Sequence, residues 1–105
     1  MKPAYLRPKA KDDRKNEVRY YRSQAGPAIA EELVRASRLA LQQIEQAPGI
    51  GSPRLGHLAE IFDLRSWRIA DFPLIWFYFE RDDHLDVVRL LGKRQDMLTI
   101  LGEAY

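Results

Sequence analysis

The 105-residue chain contains no cysteine and only two histidines, His57 and His84. Without cysteine, neither a disulfide framework nor a thiolate zinc site can form, and this usage leads us to expect a reducing, cytoplasmic setting. No apolar run approaches the ~20 residues that a membrane-spanning helix needs, so no membrane partner is expected. The opening MKPAYLRPKAKDD lacks the apolar core of a secretion signal. Phosphate-loop, GxGxxG, HExxH and GxSxG patterns are also missing, which removes the commonest nucleotide-binding, zinc-protease and serine-hydrolase readings. One histidine falls in a loop and the other at a hairpin turn. That is a weak metal signal, and no cofactor is expected.

What is present describes a folded domain. Apolar residues make up 46% of the chain and charged residues 30%, the composition of an ordinary globular protein. A chain of this size buries roughly 65% of its unfolded surface, enough for one core, so residues 1–105 are expected to form a single domain. The net charge is only +2, yet it is unevenly spread. Residues 1–22 hold eight lysines and arginines against Asp12, Asp13 and Glu17, a local excess of five. Such a cluster suits nucleic acid or an acidic partner, or simply a solvated helix face.

Residues 2–7 suit a short strand ended by Pro8, which then occupies a first helical position. Helix one is expected from about Pro8 to Gln24, with a thin apolar stripe of Ala10, Val18, Tyr21 and Ala25. Gly26-Pro27 breaks it and starts a second helix. There Ala30, Leu33, Val34, Ser37, Leu41 and Ile44 recur at three and four and form a broader buried face. Ala47-Pro48-Gly49 stops this helix, and the short break between the two predicts an antiparallel hairpin. Residues 49–62 read as loop with a short helical turn.

Three strands follow at 64–69, 74–80 and 85–91, joined by turns at Asp71-Phe72-Pro73 and Arg81-Asp82-Asp83-His84, an antiparallel meander. The middle strand, LIWFYFE, is continuously apolar and is expected at the buried centre, with helices on one face. Both tryptophans, Trp67 and Trp76, are read as core. The period of two puts Arg65, Trp67 and Ile69 on one face and Leu64, Ser66 and Arg68 on the other. Arg89 interrupts an apolar strand, and Lys93 and Arg94 follow it. Arg65, Arg68, Arg89, Lys93 and Arg94 are therefore expected to form a cationic surface on an open sheet face, suited to phosphate or carboxylate. Ordinary pairing of Arg65 and Arg89 with Asp63, Asp86 or Asp96 is the plainer alternative.

A family resemblance emerges from these segments. Pro48-Gly49-Ile50-Gly51-Ser52-Pro53-Arg54, Leu64-Arg65-Ser66-Trp67-Arg68-Ile69, Phe72-Pro73-Leu74-Ile75-Trp76-Phe77-Tyr78 and Leu85-Asp86-Val87-Val88-Arg89-Leu90-Leu91, in the order strand, helix hairpin, meander, resemble the ParE branch of the RelE/ParE toxins of bacterial type II toxin–antitoxin systems. The match spans nearly the whole chain. The resemblance implies an α+β fold, with an N-terminal strand and an antiparallel helix hairpin packed on an antiparallel sheet.

It also implies a small toxin that inhibits DNA gyrase without catalysis and is neutralised by a ParD-like antitoxin, with operator DNA met only through that antitoxin. The antitoxin is expected to lie across the hairpin and sheet edge, near Val18, Tyr21, Leu33 and Leu41. Two positions depart from the family pattern. Gly92 stands where the tail usually carries a histidine, and Arg14 replaces a common leucine. Loss of that histidine removes an acid or base and favours gyrase inhibition. The alternative is a ribosome-dependent mRNA endonuclease of the RelE kind, with Glu60 as base, Arg65 or Arg89 as phosphate clamp and Tyr105 as acid or stacking group. A third reading is an inactive toxin that only binds antitoxin or regulates the operator.

Overall fold

The computed structural model describes residues 1–104, so Tyr105 lies outside the described residues. In chain order the elements are β1 (Ala4–Leu6), α1 (Pro8–Ala25), α2 (Pro27–Gln46), a 3-10 turn (Pro48–Ile50), α3 (Arg54–Leu58), β2 (Arg65–Arg68), β3 (Leu74–Glu80), β4 (Leu85–Gly92) and α4 (Met97–Ala104). The hairpin forms as expected. Pro8 and Pro27 start the two helices, and Gly26, at φ 94°, ends the first and opens the second. Only glycine adopts that backbone without strain.

The strands form one four-stranded sheet in the order β1-β4-β3-β2. The meander β2-β3-β4 is antiparallel, but β1 adds to β4 in parallel, so the sheet is mixed. Helices α1 and α2 cover one face, where Leu33, Leu41 and Ile44 meet Ile69, Trp76, Tyr78, Val87 and Leu90. The other face is covered too, by α3, the turn after it and α4, where Leu64, Ile75, Phe77, Val88 and Leu91 meet Leu101, Leu55 and Ile61. The expectation of an open face is therefore corrected. The tail after Gly92 turns back as a helix whose Leu101 is fully buried. This double cover explains why β3 is apolar at almost every position.

The two tryptophans tie α2 to the sheet. The Trp76 Nε1–H donates to the Ser37 carbonyl at 3.2 Å, and that of Trp67 to Gln43 Oε1 at 2.9 Å. A third tie explains the PGIGSPR segment. The Tyr78 hydroxyl accepts from the Gly51 N–H at 3.0 Å and donates to the Pro48 carbonyl at 2.7 Å. A side chain at Gly51 would sit 2.5 Å from that hydroxyl, so the loop can lie on Tyr78 only with glycine there. Burial raises the pKa of the Tyr78 phenol, keeping it a neutral donor.

At the other end of the sheet, Asp86 accepts from Arg7 through both carboxylate oxygens, at 2.9 and 2.8 Å, and from Arg81 at 3.0 Å. The Arg7 hydrogen bond is the main cause holding the Asp86 pKa below its ordinary value. The lowered folded pKa means that the pair stabilises the fold fully above the unfolded carboxylate pKa, about 3.9, and loses that contribution as pH falls through the folded value. Asp86→Asn is thus expected to lower the melting temperature at pH 7. In melts from pH 7 down to 2 the gap between variant and wild type should narrow below about pH 4; a constant gap would contradict the pair.

Candidate functional site

Each outward-facing N–H of β4 that the structure pairs has a distinct partner, and these partners decide where the cations go. β1 pairs with β4 only from Leu85 to Val87. Beyond Val87 the strand has no neighbour on that side, and unpaired N–H groups there would be costly. The Leu90 N–H instead donates to Asp13 Oδ2 of α1 at 3.0 Å, and the Gly92 N–H to Gln95 Oε1 at 2.8 Å. A bulge shifts the register here, since Phe77 pairs with Arg89 and Tyr78 with Val87. The extra residue, Val88, breaks the alternation of β4.

Arg89 lies beside that edge and closes a fork on the same carboxylate, with Nε to Asp13 Oδ2 at 2.7 Å and Nη2 to Oδ1 at 3.0 Å. Both side chains are largely buried, at 16% and 14% exposure. Arg89 is thus internal, paired with Asp13 rather than with Asp63, Asp86 or Asp96. Arg94 makes a second tie to α1. Its Nη2 donates to Glu17 Oε2 at 3.0 Å, and its guanidinium sits 4.1 Å from the centre of the Tyr20 ring. Glu17 is only 5% exposed, and its other oxygen has no partner among the described residues, so Arg94 is its sole compensation there. Sequence reasoning missed both acids. The signal was available: Ala10, Asp13, Glu17 and Tyr21 follow one another at three and four, which places two carboxylates in the core-facing stripe.

The remaining cations separate as well. Arg65 Nη1 donates to the carbonyls of Gly51, at 2.7 Å, and Gly49, at 3.3 Å, and holds the glycine loop. Arg68 and Lys93 are exposed. They stand at the same end of the sheet, where β2 and β4 end and β3 begins, two strand spacings or about 10 Å apart. Of the five expected residues, Arg65 and Arg89 are held by the fold, Arg94 pairs with Glu17 while its side chain stays 45% exposed, and Arg68 and Lys93 are exposed and make no ion pair among the described residues.

The hairpin residues expected to meet the antitoxin are mostly used by the core. Leu33 is fully buried and Leu41 nearly so. Val18 and Tyr21 are half-buried against the same cluster, and the Tyr21 ring packs edge-on against Phe72. An apolar groove exists elsewhere, along the outer edge of β2. It has a volume of about 440 Å³ and is lined by Ile50, Leu55, Trp67 and Ile75 together with Ser52, Ser66, Arg54 and Arg68. Ser66 bonds outward to Ser52, an isolated bridge that marks this edge.

The residues of the nuclease alternative stand apart. Glu60 and His57 share a shallow cleft with Gly56, Ile61 and Phe62, and no lysine or arginine lines it. Arg65 is on the glycine loop and Arg89 on Asp13. His84 pairs with Asp83 at 2.7 Å in the exposed β3–β4 turn. Among the described residues, no group of three or more histidines and carboxylates is placed to hold a metal.

These features agree with the comparisons to known proteins. The family described as "ParE toxin of type II toxin-antitoxin system, parDE" matches residues 5–97. A solved structure titled "Chromosomal ParDE TA system from P. aeruginosa" superposes with a TM-score of 0.75 at 18% identity, covering 88% of this chain and 96% of that one. A search of curated proteins gave no match. The structural neighbour shares the fold, the family match spans nearly the whole chain, and the chain therefore belongs to the ParE toxin family of type II toxin–antitoxin systems.

Proposed function

We propose that the protein arrests bacterial growth by binding DNA gyrase, without chemistry of its own, and that a ParD-like antitoxin neutralises it. The observation that carries this reading is the separation of the cations. A nuclease needs a base beside a phosphate clamp, and here Glu60, Arg65 and Arg89 occupy three different places. Arg68 and Lys93 remain as exposed charges at one sheet end, suited to contact with a partner surface.

The same geometry supports a place for the antitoxin at the β2 edge. The β2-edge groove offers apolar anchoring next to Arg54 and Arg68, which fits an extended, acidic segment with apolar side chains. An antitoxin lying there would cover Arg68, and neutralisation would be occlusion of the target-binding end. Induction in a bacterial host should arrest growth with a DNA-damage response, and co-expression of the antitoxin should relieve it. Arrest with truncated messenger RNA and intact DNA would favour the nuclease instead.

A further inference from the structure

The outer face of α1 carries Lys11, Arg14, Lys15 and Arg22, spaced at three, four and seven so that they share one side of the helix. Arg38 of α2 adds to it, close enough to Arg14 for the two charges to oppose each other. Among the described residues none of these five forms an ion pair, and a cleft of about 600 Å³ runs between the α1 cations. Asp12 is the one acid lining it and Val18 the one apolar residue.

Stability does not explain the arrangement. Burial, and then the charge of Arg38, pushes the Arg14 pKa down, and the second of these, the repulsion between the two guanidinium groups, is one that an anion at this face would relieve. We propose that this face of α1 binds the phosphate backbone of duplex DNA. Lys11 to Arg22 spans about 16 Å of helix, a straight cationic row against a duplex that presents one negative charge per about 1.7 Å of its axis. The face has no aromatic platform for unstacked bases, which argues against single-stranded RNA. It also lacks the apolar anchors that fix a peptide, which the β2-edge groove has. This goes beyond the expectation that DNA is met only through the antitoxin, and it does not depend on gyrase being the target.

The test is fluorescence anisotropy of the purified toxin, without gyrase, on a labelled 20-base-pair duplex of arbitrary sequence. In a salt series the logarithm of affinity should fall with a slope of about −4.5, near −0.9 for each phosphate that the five cations neutralise. A wild-type slope shallower than about −2 would overturn the proposal by itself. The Gln variant of Lys11, Arg14, Lys15 and Arg22 should keep its helix content and melting temperature. It should bind at least ~100-fold more weakly at low salt, with a slope near −1. Arg54→Gln with Arg68→Gln should bind as wild type does. Equal loss in that pair, unchanged binding in the quadruple variant, or tighter binding of poly-glutamate or single-stranded RNA than of the duplex would each contradict it.

Discussion

Asp13→Ala is expected to destabilise the protein by about 3–5 kcal/mol, the usual cost of breaking a buried ion pair by removing one member. The substitution removes the fork that holds Arg89 and the side-chain acceptor of the Leu90 N–H, at a site where both side chains are largely buried. Two further variants separate these contributions. Asp13→Asn keeps an oxygen for the backbone N–H and should lose less. Asp13→Ala combined with Arg89→Met also removes the charge that Asp13 offsets and should recover much of the loss. Denaturant unfolding of the set checks this; a single variant within 1 kcal/mol of wild type would show that α1 does not close the edge of β4.

Arg68→Ala with Lys93→Ala is expected to do the opposite, sparing the fold and removing the toxicity. Both side chains are exposed, so stability should change by no more than about 0.5 kcal/mol. If each contributes about 1.4 kcal/mol of target contact, the pair should raise the toxin concentration for half-inhibition about 100-fold. His57→Gln with His84→Gln should leave inhibition intact, because His57 lies in a cleft lined by no lysine or arginine and His84 pairs with Asp83 in the β3–β4 turn, at the opposite end of β4 from Lys93. A toxic Arg68 and Lys93 variant beside an inert, folded histidine variant would reverse the assignment.

Local signals carried most of the architecture. Pro8, Gly26, Pro27 and Pro48-Gly49 punctuate the helices where the chain turns, because backbone restrictions act within a few residues. The apolar run of β3 revealed a central strand, since only double burial allows six consecutive buried side chains. The parallel pairing of β1 was not legible, because it joins residues about 80 apart and leaves no local trace. Cover of the second face was missed for a related reason: α4 is short, and Leu101 gains its meaning only from Phe77 and Leu91 across the sheet.

The candidate site was half legible. Period-two alternation placed Trp67 and Ser66 on opposite faces correctly, but the bulge at Val88 broke the same rule for Arg89. In sequence Asp13 is one of three acids among the N-terminal cations, whereas its carboxylate serves a strand residue 77 positions away. Charge counts locate cations in sequence; whether a cation is free depends on partners that only folding brings near. That is why Arg89 leaves the solvent-facing set, why Arg94 stays exposed yet is tied to Glu17, and why the unpaired cations of α1 enter it.

Incubation of purified toxin with gyrase, ATP and relaxed plasmid, followed by denaturation of the mixture, separates gyrase poisoning from RNA cleavage. Supercoiling should be inhibited and linear DNA should appear, with the effect abolished when the antitoxin is added first and absent from the Arg68 and Lys93 variant. Unimpaired supercoiling, together with cleavage of messenger RNA in a ribosome-containing translation reaction by the same preparation, would contradict action on gyrase.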